Sequence, residues 1–489
     1  MDINNLTIKS IHEGLKNKSF SCVEMVNGYL KRIEDLNPNL NVCITVTNER
    51  ALAQAAKVDD KIAKGEVLGL LEGVPLGVKD IYSTKGIKTT ACSRITGDFE
   101  PPYESTVTDK LNKEGMIMLA KTNTDEFACG SSTENSAFGA TKNPWNPEYV
   151  PGGSSGGSAA GVGARMFPVS LGSDTGGSIR QPASFCNVVG LKVTYGRVSR
   201  SGVIPMASSW DTMGPFTTNI QDSAFMLKAM AGHDNRDATT PKIEVPDYST
   251  NLGKDIKGMK IGIPKEYFGE GVDAEVKETV MTAIKEYEKM GAELVDISLP
   301  YTDYGVSTYY IIMPAELSTN LARFDGIRFG AKASGEVDNY LDYYLKTREE
   351  GFGDEIKRRI MIGTYVLSAG YFDAYYKKAQ KVRTLIRKDF DQAFEKVDAL
   401  MAPVSPFPPF KIGSKADDPL AMYLADALVI PASCAGVPAI SVPCGFSKDN
   451  LPIGLQIIAP QFEEGKLFQL GSAYEQATEW HKALPGMIK

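Results

Sequence analysis

Short apolar runs recur along the 489-residue chain at Met116 to Ala120, Pro168 to Gly172, Met259 to Ile263, Leu294 to Ile297, Ala399 to Met401, Ala439 to Val442 and Gly454 to Ile458. Continuous apolar character over so few residues marks strands covered on both faces. Between them lie stretches of helical periodicity, at Thr7 to Asn17, Cys22 to Leu36, Glu49 to Lys64, Ser105 to Glu114, Asp273 to Met290 and Ala369 to Lys396. Ser21 is placed to cap the second of these. Gly115 and Gly291 follow helical runs where a left-handed residue ends a helix. The pattern predicts an α/β fold with a mostly parallel or mixed sheet between two helix layers. No Pro/Ser-rich linker, repeat or low-complexity tract divides residues 1–489, so one large domain is expected.

Composition excludes several classes of function. The formal net charge is -7 with Lys and Arg scattered, which argues against direct nucleic-acid binding. The N-terminus lacks the basic start and apolar core of a signal peptide, so a cytoplasmic location is expected. The longest uncharged stretch, Ala427 to Ser447, is broken by Pro431, Pro438 and Pro443. It reads as buried strand, loop and strand rather than a membrane span. Seven cysteines form no C-x-x-C pair and no His lies at ligand spacing, so free thiols and no metal are expected.

The least ordinary segment runs from Pro151 through Gly152, Gly153, Ser154, Ser155, Gly156, Gly157 and Ser158 to Gly161. After one apolar run comes Gly172-Ser-Asp-Thr-Gly-Gly-Ser178-Ile-Arg180. A flexible linker would not run on into Ala159 to Ala164, a small-residue helix suited to very close packing. A phosphate loop would need a Gly-Lys-Ser/Thr ending, which is absent. What remains is a density of hydroxyls, Ser154, Ser155, Ser173, Thr175 and Ser178, on turns whose N–H groups can converge as an oxyanion hole requires. A nucleophilic serine needs a base. His12, His233 and His481 are all far away in sequence, and a buried, neutral lysine is the more economical choice. Lys79, delivered by the apolar run Gly73-Val-Pro-Leu-Gly-Val-Lys79-Asp80, is the candidate.

These segments resemble the amidase signature family. Gly152 to Ser158, Gly172 to Arg180 and Gly77-Val78-Lys79-Asp80 match its motifs, and the resemblance runs from about residue 5 to residue 480. It implies one α/β domain with a mixed central sheet covered by helices on both faces, and a Ser-cisSer-Lys triad of Ser178, Ser154 and Lys79. With that triad goes a cis bond between Gly153 and Ser154. The oxyanion donors are then the N–H groups of Thr175, Gly176, Gly177 and Ser178. Lys121 to Ser132, Arg323 to Gly330, Gly351 to Gly353 and Tyr365 to Tyr376 point within the family to its tRNA-dependent, glutamine-hydrolysing branch. For that branch, Arg358 and Asp426 are expected to hold the α-carboxylate and α-ammonium of glutamine, and Tyr309 and Ser131 to line the pocket. One residue turns a helical side chain by about 100°, so Arg359 is the alternative to Arg358, and Tyr310 stands beside Tyr309. The branch further implies a larger tRNA-binding subunit that uses ATP and Mg, and a small third subunit. The aminoacyl-tRNA is then met through the complex, and this chain needs no cofactor of its own. The rival expectation is a free-standing amidase acting on a small carboxylic amide.

Overall fold

The computed structural model describes residues 2–488. Eleven strands are hydrogen-bonded into one sheet: β1 (Cys43–Val46), β2 (Pro75–Lys79), β3 (Ile117–Thr122), β4 (Val169–Asp174), β5 (Val189–Lys192), β6 (Thr212–Thr217), β7 (Lys260–Pro264), β8 (Glu293–Ile297), β9 (Ala399–Pro403), β10 (Ala439–Phe446) and β11 (Pro452–Ile458). Their order is β1-β3-β2-β4-β6-β5-β10-β11-β9-β7-β8. The sheet is mixed. β3, β2 and β4 run parallel, as do β9, β7 and β8, and the strands between them are antiparallel. Every residue of β2, β3, β4, β5, β6, β9 and β11 is buried. Alternate side chains of a strand face opposite sides, so helices cover both faces.

The helices begin and end where their caps allow. The Ser21 hydroxyl accepts the Glu24 N–H of the helix Cys22–Leu40. Gly115 and Gly291 both adopt positive φ, 81° and 94°, just past helix ends. Two expectations need correction. Ala427 to Ser447 is not strand, loop and strand: Pro431 opens a short helix, Ile430–Ala435, Gly436 closes it at φ 72°, and only then does β10 begin. Proline fits the first helical turn, whose N–H groups lack partners anyway. The helix expected over Ala369 to Lys396 starts late: Gly370 at φ 85° keeps its first residues in a turn, and the element opens as a π-helical turn, Asp373–Lys377, that runs straight into the helix Lys378–Phe394. Among the described residues no helix is long and apolar enough to cross a membrane, and all seven cysteines are buried free thiols.

This topology positions the functional segments. β2, β3 and β4 are parallel neighbours, so the residues at their C-terminal ends, Lys79, Thr122 and Asp174, emerge on one edge of the sheet, where open α/β sheets form their clefts. The Gly/Ser segment returns to this edge as the helix Gly156–Gly163, all of it buried. A Cβ on Gly157 would lie 2.5 Å from the Asn123 carbonyl oxygen, and one on Gly161 2.1 Å from Phe167. Only glycine lets this helix approach so closely.

Candidate active site

At the end of β2 the Lys79 side chain has no exposed surface. Its Nζ lies 2.7 Å from Ser154 Oγ, 2.8 Å from Ser155 Oγ and 2.9 Å from Ser173 Oγ. Burial drives its pKa down to about 7, against the opposing field of Asp125 and Asp211. A neutral amine keeps two N–H donors and gains a lone pair. One of the three hydroxyls can then turn its proton toward nitrogen, so the cluster is satisfied without a charge. His12 and His233 meanwhile pair with the carbonyls of Gly69 and Thr240, away from this cluster.

The Gly153–Ser154 peptide is cis, as the family resemblance implies. It is held from several sides. Gly153 N–H donates to Gln181 Oε1 at 3.0 Å. The Ser154 carbonyl accepts the Thr124 hydroxyl at 2.7 Å and the Asp125 N–H at 3.2 Å. The next residue, Ser155, donates its N–H to the Ser178 carbonyl at 3.3 Å, tying the two serine segments together.

Ser178 ends the turn that leaves β4, just before the helix Arg180–Cys186, and keeps 6% of its surface exposed where Ser154 keeps none. Asp174 shapes this turn. Burial alone would raise its pKa, but the Arg180 guanidinium holds it below the ordinary carboxylate range. Arg180 bonds both Asp174 oxygens, at 2.9 and 3.0 Å, and anchors to the Val429 carbonyl and Gln456. Asp174 Oδ1 also accepts the Gly177 N–H at 2.9 Å. This corrects the expected oxyanion set. The Gly177 N–H is engaged in forming the turn, leaving Thr175, Gly176 and Ser178 as candidate donors. The φ of Gly177, 131°, is what lets the chain make this turn.

Tyr309 and Asp426 stand against the turn. A Cβ on Gly176 would lie 3.0 Å from the Tyr309 hydroxyl, and one on Gly177 3.3 Å from Asp426 Oδ1. Asp426 is 6% exposed. Its Oδ2 accepts the Ser131 hydroxyl, while Oδ1 is buried with no partner. Burial pushes its pKa up to about 8. Arg359, not Arg358, is the arginine of this region. The Arg358 side chain is 45% exposed and pairs with Glu355 on the helix surface. Arg359 is 3% exposed, lies against the stacked pair of Tyr310 (4.5 Å) and Tyr423 (4.2 Å), and donates Nε–H to Glu355 at 2.6 Å. Its Nη1 is buried and unpartnered. The helix turns the second arginine inward because Arg359 shares the buried face of Ile356, Gly363 and Val366. Tyr310 stacks on Tyr423 at 4.0 Å and is occupied in holding Arg359, which leaves Tyr309 beside the turn.

Residues 24–468 match the amidase family model. The chain belongs to the amidase family. It is 56% identical over 478 residues to a glutamyl-tRNA(Gln) amidotransferase subunit of Thermosynechococcus vestitus, covering 98% of this chain and 99% of that protein. The crystal structure of the corresponding glutamyl-tRNA(Gln) amidotransferase subunit from Thermotoga maritima is similar with a TM-score of 0.81 and 39% identity, covering 98% of this chain and 96% of that one. Peptide amidase from Stenotrophomonas maltophilia is 28% identical with a TM-score of 0.80, covering 97% of each chain. In this amidase, sequence reasoning passed over Asp174, Arg180, Gln181 and Asp125 as parts of the site. Asp174 and Arg180 stood inside the quoted motif, but their pairing is visible only once the turn is folded.

Proposed function

We propose that this chain is the glutamine-hydrolysing subunit of a tRNA-dependent amidotransferase. One observation carries the reading: two side chains of opposite charge each present a buried unpartnered atom, Asp426 against Gly177 of the nucleophile turn and Arg359 against Tyr310, whose neighbour Tyr309 meets Gly176. A leftover N–H and a leftover carboxylate oxygen are costly unless a ligand pairs with them. The α-carboxylate and α-ammonium of an amino acid satisfy both at once, and bound ammonium draws Asp426 back to its charged form. The amidotransferase relatives at 53–56% identity support the same substrate.

In this reading Ser178 Oγ attacks the side-chain amide carbon of glutamine while Ser154 takes the hydroxyl proton and passes its own to neutral Lys79. The developing oxyanion is met by the N–H groups of Thr175, Gly176 and Ser178, each worth about 3 kcal/mol in such sites. The relay reverses, Ser154 protonates the departing nitrogen, the C–N bond breaks and ammonia leaves. Water then cleaves the glutamyl ester to release glutamate. Ammonia goes on to amidate Glu-tRNA(Gln) in a cytoplasmic three-subunit complex, with ATP and Mg used by a larger tRNA-binding partner and a small subunit completing the assembly. The test is release of glutamate from glutamine by the purified complex, and its loss in Ser178→Ala with folding intact. Turnover of aliphatic amides such as propionamide without glutaminase activity would instead mark a free-standing amidase.

A further inference from the structure

Three of the segments that the catalytic cluster leaves unexplained, Lys121 to Ser132, Arg323 to Gly330 and Gly351 to Gly353, meet at one place. Glu126 is 5% exposed and has both oxygens engaged. Oε1 accepts the Ser93 hydroxyl, and Oε2 accepts the Gly353 N–H at 2.9 Å. The Phe127 ring packs edge-on against Phe324 at 5.2 Å and Phe352 at 5.8 Å.

Gly353 is the N-cap residue of the helix Asp354–Leu367, which carries Arg359. Six residues along a helix is about 9 Å, so the Glu126–Gly353 bond fixes the end of a short lever whose other end is the guanidinium. Glu355, which holds Arg359, lines with Glu126 and Gly353 a cavity of about 370 Å³. The preceding carboxylate, Asp125, faces the opposite way. It accepts the N–H groups of Thr133 at 2.9 Å and Asn135 at 3.2 Å, its own N–H bonds the Ser154 carbonyl, and a Cβ on Gly153 would lie 2.3 Å from its Oδ2.

The turn joining these functions is strained. Phe127 and Ala128 follow each other at φ 50° and 60°, in the left-handed region that bulky side chains avoid. Such strain persists where surrounding structure holds it and clusters at functional sites. Burying the Glu126 carboxylate is a further cost, offset by the two hydrogen bonds it accepts.

We infer that Glu126 is the positioning residue for glutamine recognition. Through Gly353 it sets the height of the Arg359 helix against the nucleophile turn, while its neighbour Asp125 holds the cis-serine segment. It touches no substrate and moves no proton. The inference rests on the reading of Arg359 as the carboxylate ligand of glutamine.

The experiment is steady-state glutamine hydrolysis by the assembled complex. Glu126→Ala is expected to raise KM for glutamine roughly tenfold, the scale of one lost hydrogen bond to a charge, with kcat within about twofold. Gly353→Ala tests the same contact without touching the carboxylate. Its new Cβ would fall 2.5 Å from Glu126 Oε2 and push it away, so KM rises and kcat holds. Glu126→Gln keeps a carbonyl for the Gly353 N–H and restores most of the affinity. An unchanged KM in folded Glu126→Ala and Gly353→Ala overturns the inference, and so does a loss confined to kcat. Wild type that turns over no glutamine at all fails the functional reading first and withdraws the inference with it.

Discussion

Lys79 is a side chain whose chemistry is made by its surroundings. Its folded pKa of about 7 lies below the 10.5 of an exposed lysine, so between those values the folded chain binds fewer protons than the unfolded one. Its burial therefore destabilises the fold at neutral pH, and the penalty fades as pH rises toward 10.5. Lys79→Met is expected to raise the melting temperature at pH 7 while abolishing turnover, since Ser155 already reaches the Ser173 carbonyl and the hydroxyls can pair among themselves. The base acts neutral, so glutamine hydrolysis should rise with pH through about 7. Lys79→Arg, which cannot lose its proton, should be nearly inactive at every pH. Thermal unfolding and a pH–rate profile read these outcomes. The two arginines give a second contrast. Arg359→Lys loses the guanidinium contact with the Tyr310–Tyr423 pair and the free Nη1, and should raise KM for glutamine about tenfold or more. Arg358→Ala removes only an exposed ion pair and should leave KM near wild type.

The helix Gly156–Gly163 is the element on which the site geometry depends. It buries all eight residues with no charged or capping side chain, and its stability comes from contact rather than propensity. Gly157 meets backbone on both sides, the Asn123 amide nitrogen at 2.7 Å and the Val42 carbonyl at 2.9 Å from a Cβ placed there. Neither can step aside as a side-chain tip would. Gly157→Ala is thus expected to cost about 3 kcal/mol or more despite the better helix propensity of alanine, by forcing the helix off Asn123 and misplacing Ser154. Denaturant unfolding measures the first effect, and the glutaminase rate the second. Strand β6 makes a related point about legibility. It is not among the apolar runs that mark strands, since Gly214 and Pro215 interrupt it, yet a Cβ on Gly214 would lie 2.0 Å from the Leu191 carbonyl oxygen, which is why glycine stands there within the sheet.

At the scale of the whole molecule, a simple hydrolase differs from an ammonia-supplying subunit in where the nitrogen goes. Ammonia in water near pH 7 is mostly ammonium and not nucleophilic, so an amidotransferase needs its glutaminase only when glutamine is the donor. A complex carrying Ser178→Ala is expected to amidate glutamyl-tRNA with ATP and abundant free ammonia, and to fail with glutamine. Loss of both reactions in an assembled complex would assign Ser178 a role in the second step or in assembly instead. The sequence by itself determined the α/β class and the caps at Ser21, Gly115 and Gly291, and it singled out Lys79 and the hydroxyl-rich turns, because apolar runs, helix ends and dense glycine-serine turns are local patterns; the ordering of Ser178, Ser154 and Lys79 as a triad came from the family resemblance. It did not separate Arg358 from Arg359, since only the packing of Tyr310 and Tyr423 makes one face of that helix the inner one. Nor did it remove the Gly177 N–H from the oxyanion set, because that depends on where Arg180 draws the Asp174 carboxylate. The late start at Asp373 was hidden because the helical pattern already began at Ala369, and the positive φ of Gly370 is set by the turn that follows the helix Asp354–Leu367. Local chemistry is written in neighbouring residues, whereas the choice between two adjacent arginines is made by side chains from the helices Gly305–Leu321 and Pro419–Tyr423, which only the folded chain brings beside them.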